Sequence, residues 1–99
     1  MNYYKVVTPD MKSLGLRKNP NILTFRKNEW IKESSPKEGK QDTGGIWVAN
    51  GKGHANTLKK YMISKGVIAR VFGVEIGNIL YSNSYRTKTD KVRLLTEVS

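Results

Sequence analysis

The sequence predicts an α+β domain: a small, mostly antiparallel sheet with one main amphipathic helix packed on it. Three observations carry that expectation. His54 to Lys65 is the one stretch with apolar residues at helical spacing, and the run behind it, Val67 to Ile76, is apolar on both parities. The rest of the chain is short apolar segments parted by Gly, Pro, Asn and charge.

Tyr3 to Thr8, YYKVVT, reads as a first strand ended by Pro9-Asp10, with Tyr4, Val6 and Thr8 as its better core face. MKSLGLRKNPN then reads as an ordered loop anchored by Leu14 and Leu16. Ile22 to Arg26 is expected as a second strand with Leu23 and Phe25 inward, and Trp30 and Ile31 continue its packing after a turn. Lys32 to Gly44 has no apolar residue and cannot offset the entropy of ordering by burial, so a mobile surface loop is expected there. Gly45 to Ala49 is a third strand. The helix then places Leu58, Tyr61 and Met62 on one side and Lys59, Lys60 and Ser64 on the other, and Gly66 stops it.

Val67 to Ile76 has the pattern of a central strand covered on both faces. Gly77-Asn78 turns into a strand at Ile79 to Ser82, Asn83 to Lys91 reads as a polar basic connection, and Val92 to Val98 alternates as the closing strand. The order is β-β-β-α-β-β-β. Gly45 to Ile76 could instead form a parallel βαβ unit, and periodicity does not choose between the two.

At 99 residues there is room for a single domain, residues 1–99, with one modest core. Without cysteine there is no disulfide framework, thiolate nucleophile or thiolate metal site. No apolar run approaches membrane-spanning length and MNYYKVV has no signal pattern, so a cytoplasmic location and no membrane partner are expected. The formal charge is +10, unevenly spread: +5 over residues 1–27, −1 over 28–45 and +6 over 46–99. Such a surface favours polyanions, although lysine used only for solubility gives the same count.

Three features point to chemistry. NGKGH, Asn50 to His54, lies between a strand and a helix start, where free amides, Lys52 and His54 suit a phosphate. It lacks the Walker spacing, and its glycines also fit a plain strand-to-helix turn. NSYRTKTDK offers Tyr85 for stacking, and Arg86, Lys88 and Lys91, with Arg93 just beyond, as phosphate donors; a solvated loop would look the same. Arg70 interrupts an apolar strand and needs a carboxylate such as Glu97, or an anionic ligand. His54 has no patterned nucleophile, and one histidine with scattered carboxylates gives no metal set or cofactor. Trp47, Tyr61 and one of Tyr3 and Tyr4 are expected in the core, although aromatics beside the basic flanks could line a pocket for a base.

GIWVAN, ANTLKKYM, ARVFGVEIGNILY and KTDKVRLLTEV together resemble small uncharacterised domains frequent in bacteriophages and prophages. In order they also resemble the carboxyl-terminal half of the ADP-ribosyltransferase fold, with YYKVVTPDM as a matching first strand. Lys5 stands where those transferases carry arginine or histidine, Gly45 to Ala49 stands for their Ser-Thr-Ser strand, and no glutamate occupies a catalytic place. The resemblance therefore implies a degenerate nucleotide pocket or a surface reused for binding.

The first functional expectation is a non-enzymatic binding protein that engages nucleic acid or a nucleoprotein complex through phosphates, as a phage-encoded inhibitor of host defence would. Its carriers are Arg17, Lys18, Arg26 and Lys27 on one flank and Arg86, Lys88, Lys91 and Arg93 on the other. The alternative is a pocket that sequesters a nucleotide, with Lys52 and the helix start for phosphate and an aromatic for the base. An ADP-ribosyltransferase-like enzyme ranks third, and a host protein with an acidic surface is a further possible partner.

Overall fold

The computed structural model describes residues 3–14 and 22–98. Its elements run β1 (Tyr3–Val7), β2 (Trp30–Lys32), β3 (Ile46–Ala49), α1 (Lys52–Ser64), β4 (Arg70–Ile76), β5 (Ile79–Ser82), β6 (Arg86–Thr89) and β7 (Lys91–Val98). The strands form one sheet in the order β2-β7-β4-β1-β3-β6-β5, and each neighbouring pair is antiparallel. One helix on an antiparallel sheet is the fold class expected from sequence. β3 and β4 each run antiparallel to β1, so they are parallel to one another but separated by it. The segment from Gly45 to Ile76 is therefore a crossover over β1, not an adjacent βαβ pair.

The core has two parts. Ala55 and Met62, with Leu58 between them, form the buried stripe of α1 and pack on Val6, Ala69 and Val71. The larger cluster joins Val7, Phe25, Ile46, Val48, Phe72, Val74, Val92 and Leu94. Ile46 of β3 and Val92 of β7 belong to that one cluster although β1 and β4 lie between their strands. The strands between them supply Val7, Phe72 and Val74, which carry the cluster across the sheet from one to the other.

Gly66 ends α1 with φ at +82, where a side chain would be strained, and the amides of Gly66 and Val67 return to the carbonyls of Ile63 and Met62. Tyr61 falls outside the buried stripe and is half exposed, a departure from its expected place in the core. The central strand starts at Arg70, later than its apolar pattern implies, and Ile68 is 75% exposed.

Two other expectations are corrected. Ile22 to Arg26 is not a strand: Thr24 bridges Lys12 and Lys27 bridges Leu94 as isolated pairs, although Phe25 is buried and Thr24 and Arg26 face out. The regular strand in that region is Trp30–Lys32, at the sheet edge. Asn83 to Lys91 is not a connection, because Arg86–Thr89 is a strand between β3 and β5 and Thr87, Lys88 and Thr89 are fully buried. Threonine is a good strand former, and its hydroxyls find partners here: Thr87 donates to Asn50 Oδ1 at 2.6 Å and Thr89 to the Asn78 carbonyl at 2.7 Å.

Arg70 takes the partner expected of it, with Nε and one terminal nitrogen each 2.9 Å from the Glu97 carboxylate. The pair sits at the surface instead of inside the core. The polar segment 32–44 is tied down by hydrogen bonds in place of apolar anchors. Lys37 and Gly44 bond across it, Gly39 donates to the Leu80 carbonyl, and Lys88 donates to the carbonyls of Gln41 and Thr43.

Candidate ligand pocket

The pocket originates in a fault of the sheet. β1 and β3 share one registered pair, Tyr4 with Ala49, and beyond it the two strands part. Lys5 reaches across, its Nζ donating to the Trp47 carbonyl at 2.8 Å in place of a backbone amide. The opening is a cavity of about 480 Å³, mostly apolar, with Val6, Ile46 and Val48 among its walls and Leu58 and Tyr61 of α1 on one side. This volume lies in the range of small-molecule sites.

Two stretches that the sequence separates by about thirty residues meet at its mouth. Asn50 gives its side-chain amide to the Asn83 carbonyl at 2.7 Å and its backbone N–H to the Tyr85 carbonyl at 2.9 Å. Asn83 in turn accepts the backbone N–H groups of Tyr85 and Arg86 at 3.0 and 2.9 Å. With the turns so clamped, the rings of His54 and Tyr85 stand 6.1 Å apart, and both line the cavity with Arg86. The start of α1 is uncapped: Gly51 makes no side-chain bond, and its first turn holds no acidic residue.

Arg86 lies against the face of Trp47, 4.0 Å from the ring centroid, and one terminal nitrogen is 3.8 Å from Asp42. Its Nε–H is buried with no acceptor among the described residues. Tyr81 packs edge-on against Trp47, and the indole N–H donates to the Asp42 carbonyl, so the stack is held from several directions. Asp42 is the carboxylate in the cavity lining. No family model, curated protein or solved structure matches this chain.

The expected binding residues fall into separate groups. His54, Tyr85 and Arg86 converge on the cavity, while Lys52 is exposed at the helix start. Lys91 and Arg93 flank the ring of Trp30 at 4.7 and 5.2 Å on the β2–β7 edge. Arg26 and Lys27 lie beside that edge, where Lys27 bridges Leu94. Within this group Arg93 is paired with Glu75 and Arg26 with Glu29. Lys88 is 0% exposed, and its ammonium serves the 41–43 carbonyls, with desolvation lowering its pKa. Arg17 and Lys18 lie outside the described residues. Among those described there is no His/Asp/Glu cluster fit for a metal, and no helix long and apolar enough to cross a membrane.

Lys5, Trp47 and Asp42 were not expected as site residues. Lys5 carried a usable signal: it interrupts the β-branched strand YYKVV just as Arg70 interrupts its own. Asp42 sits in a polar loop with nothing to distinguish it.

Proposed function

We propose that the cavity sequesters an anionic ring compound of nucleotide size and holds it without turnover. The convergence of Arg86 with the rings of Tyr85 and His54 on one mostly apolar cavity is the observation that carries this reading, because a guanidinium beside apolar walls pairs strongly with an anionic oxygen. Tyr85 and His54 at the mouth offer ring faces, and the apolar walls suit a base. The lining carboxylate, Asp42, is engaged by Arg86, which favours retention over catalysis. Sequestering a signalling nucleotide is also how a phage-encoded inhibitor of host defence would act.

Thermal shifts against nucleoside mono-, di- and triphosphates, cyclic nucleotides and dinucleotides test the proposal. At a hundredfold excess over Kd, a ligand contributes about 2.7 kcal/mol, which raises Tm by roughly 10 °C or more in a chain this size. Tyr85→Ala, a change at an exposed side chain, is expected to lose most of the shift. No shift with any nucleotide would overturn the reading.

A second reading rests on a different observation. Trp30 is 38% exposed at an edge strand between two cations, the combination that single-stranded nucleic acid uses. There the partner is a nucleic acid strand or nucleoprotein, with Lys27, Lys91 and Arg93 toward phosphates and Trp30 under a base.

A further inference from the structure

We propose that Lys5 is a carbonyl-capturing amine, condensing through Nζ with an aldehyde or ketone on a compound bound between β1 and β3. This goes beyond simple retention of a ligand, since it makes the cavity a site of reversible covalent attachment. Lys5 lines the cavity, and its partners among the described residues are the Trp47 carbonyl at 2.8 Å and the Phe25 ring at 5.6 Å. Neither is a carboxylate. An ammonium enclosed without a counter-ion gives up its proton easily, and burial brings the Lys5 pKa down to about 8. Desolvated lysines in apolar pockets are the ones that act as nucleophiles.

One N–H stays on the Trp47 carbonyl, which fixes the nitrogen and leaves its lone pair for the cavity. That pair forms a C–N bond with the carbonyl carbon while the C=O π electrons move to oxygen. The oxygen takes up a proton as the nitrogen loses one, giving a carbinolamine. The hydroxyl then leaves with the remaining N–H proton as water, releasing the Trp47 carbonyl and leaving a C=N bond, so amine plus carbonyl gives imine plus water with no change of oxidation state. The co-reactant is the carbonyl compound alone.

Pyridoxal 5′-phosphate and pyridoxal are suitable probes, a ring aldehyde with and without an anionic group. Each is incubated with the full chain at equimolar ratio, reduced with borohydride and mapped by tandem mass spectrometry, which separates Lys5 from the α-amino group of Met1. The expected result is an adduct at Lys5 at least tenfold above that at exposed lysines such as Lys40 and Lys60, with an initial rate that rises with a midpoint near pH 8. Lys5→Arg, which keeps a cation and a donor, is expected to lose that adduct alone. Adducts spread over the exposed lysines with Lys5 unmodified would overturn the proposal, and the wild-type map decides even if the variant does not fold. Equal labelling by the two probes supports Lys5 capture while counting against an anion site at Arg86. Nucleotide-induced shifts without any Lys5 adduct sink the capture proposal and leave the retention reading standing.

Discussion

Arg70, Lys88 and Lys5 all lie in strands of this sheet, and each meets the cost of leaving water differently. Arg70 stays at the surface in a two-bond pair with Glu97 and lies over Phe72. Lys88 is fully enclosed and bonded to loop carbonyls, whereas Lys5 faces a cavity with one carbonyl and a ring. Arg70 holds the Glu97 carboxyl below the usual range, so that stabilisation is complete above the ordinary carboxylate pKa and is lost as pH falls through the lowered one. Glu97→Gln is therefore expected to narrow the gap to wild type as acid is added, read by urea melts between about pH 6 and 3. Lys5 works in the opposite direction. Its pKa is about 8 when folded against 10.5 ordinarily, so between those values the unfolded chain binds more protons and stability rises with pH. Relative to Lys5→Met, wild type should gain up to about 3 kcal/mol across that window, an upper bound because Lys5 is partly exposed. A constant difference between the two proteins at pH 7, 8.5 and 10 would show that the amine is not desolvated.

At the level of elements, β6 shows what buries a polar segment. Lys88 passes close beside Gly45, where a Cβ would stand 2.3 Å from Lys88 Cγ, and its ammonium reaches the carbonyls of Gln41 and Thr43. Lys88→Met keeps the length of the side chain but leaves those carbonyls without their donor, a loss of about 1–3 kcal/mol. Hydrogen exchange should quicken around residues 37–44 before any change in β4 or β7; uniform quickening over the whole sheet would refute a local tether. The same element marks where the sequence was readable. The helix, β1, β3, β5 and β7 follow from periodicity, since an amphipathic stripe or an apolar alternation is printed in the residue order. RTKT prints neither, because its threonines are buried through hydroxyl bonds to Asn50 and Asn78 that no local window contains. The β-branched threonines at 87 and 89 were its one local signal. The candidate site was half legible for a related reason. His54, Tyr85 and Arg86 could be named as donors and rings, but their convergence depends on the β3–β6 register and on Asn50.

Over the described part of the molecule, the cations expected to bind phosphate fall into two groups, one at the cavity and one at the Trp30 edge. Arg86 on β6 and Arg93 on β7 sit four strand places apart, about 19 Å at the usual strand spacing. The cavity and the Trp30 edge should therefore respond to different changes. Tyr85→Ala is expected to weaken nucleotide-induced stabilisation and leave oligonucleotide binding unaltered; Trp30→Ala combined with Lys91→Ala should do the reverse. Salt separates them further. A ligand held by Arg86 and apolar walls has few phosphate contacts, so its affinity should change little between 50 and 200 mM salt. A strand held by Lys27, Lys91 and Arg93 neutralises about three phosphates, giving a log–log slope near −2. Fluorescence anisotropy with a labelled oligonucleotide and thermal shifts with a nucleotide, each over that salt range and on both variants, check the division. If either variant abolished both signals, or both affinities fell with one slope, the two patches would have to form a single surface, and the separation that the strand order imposes would be wrong.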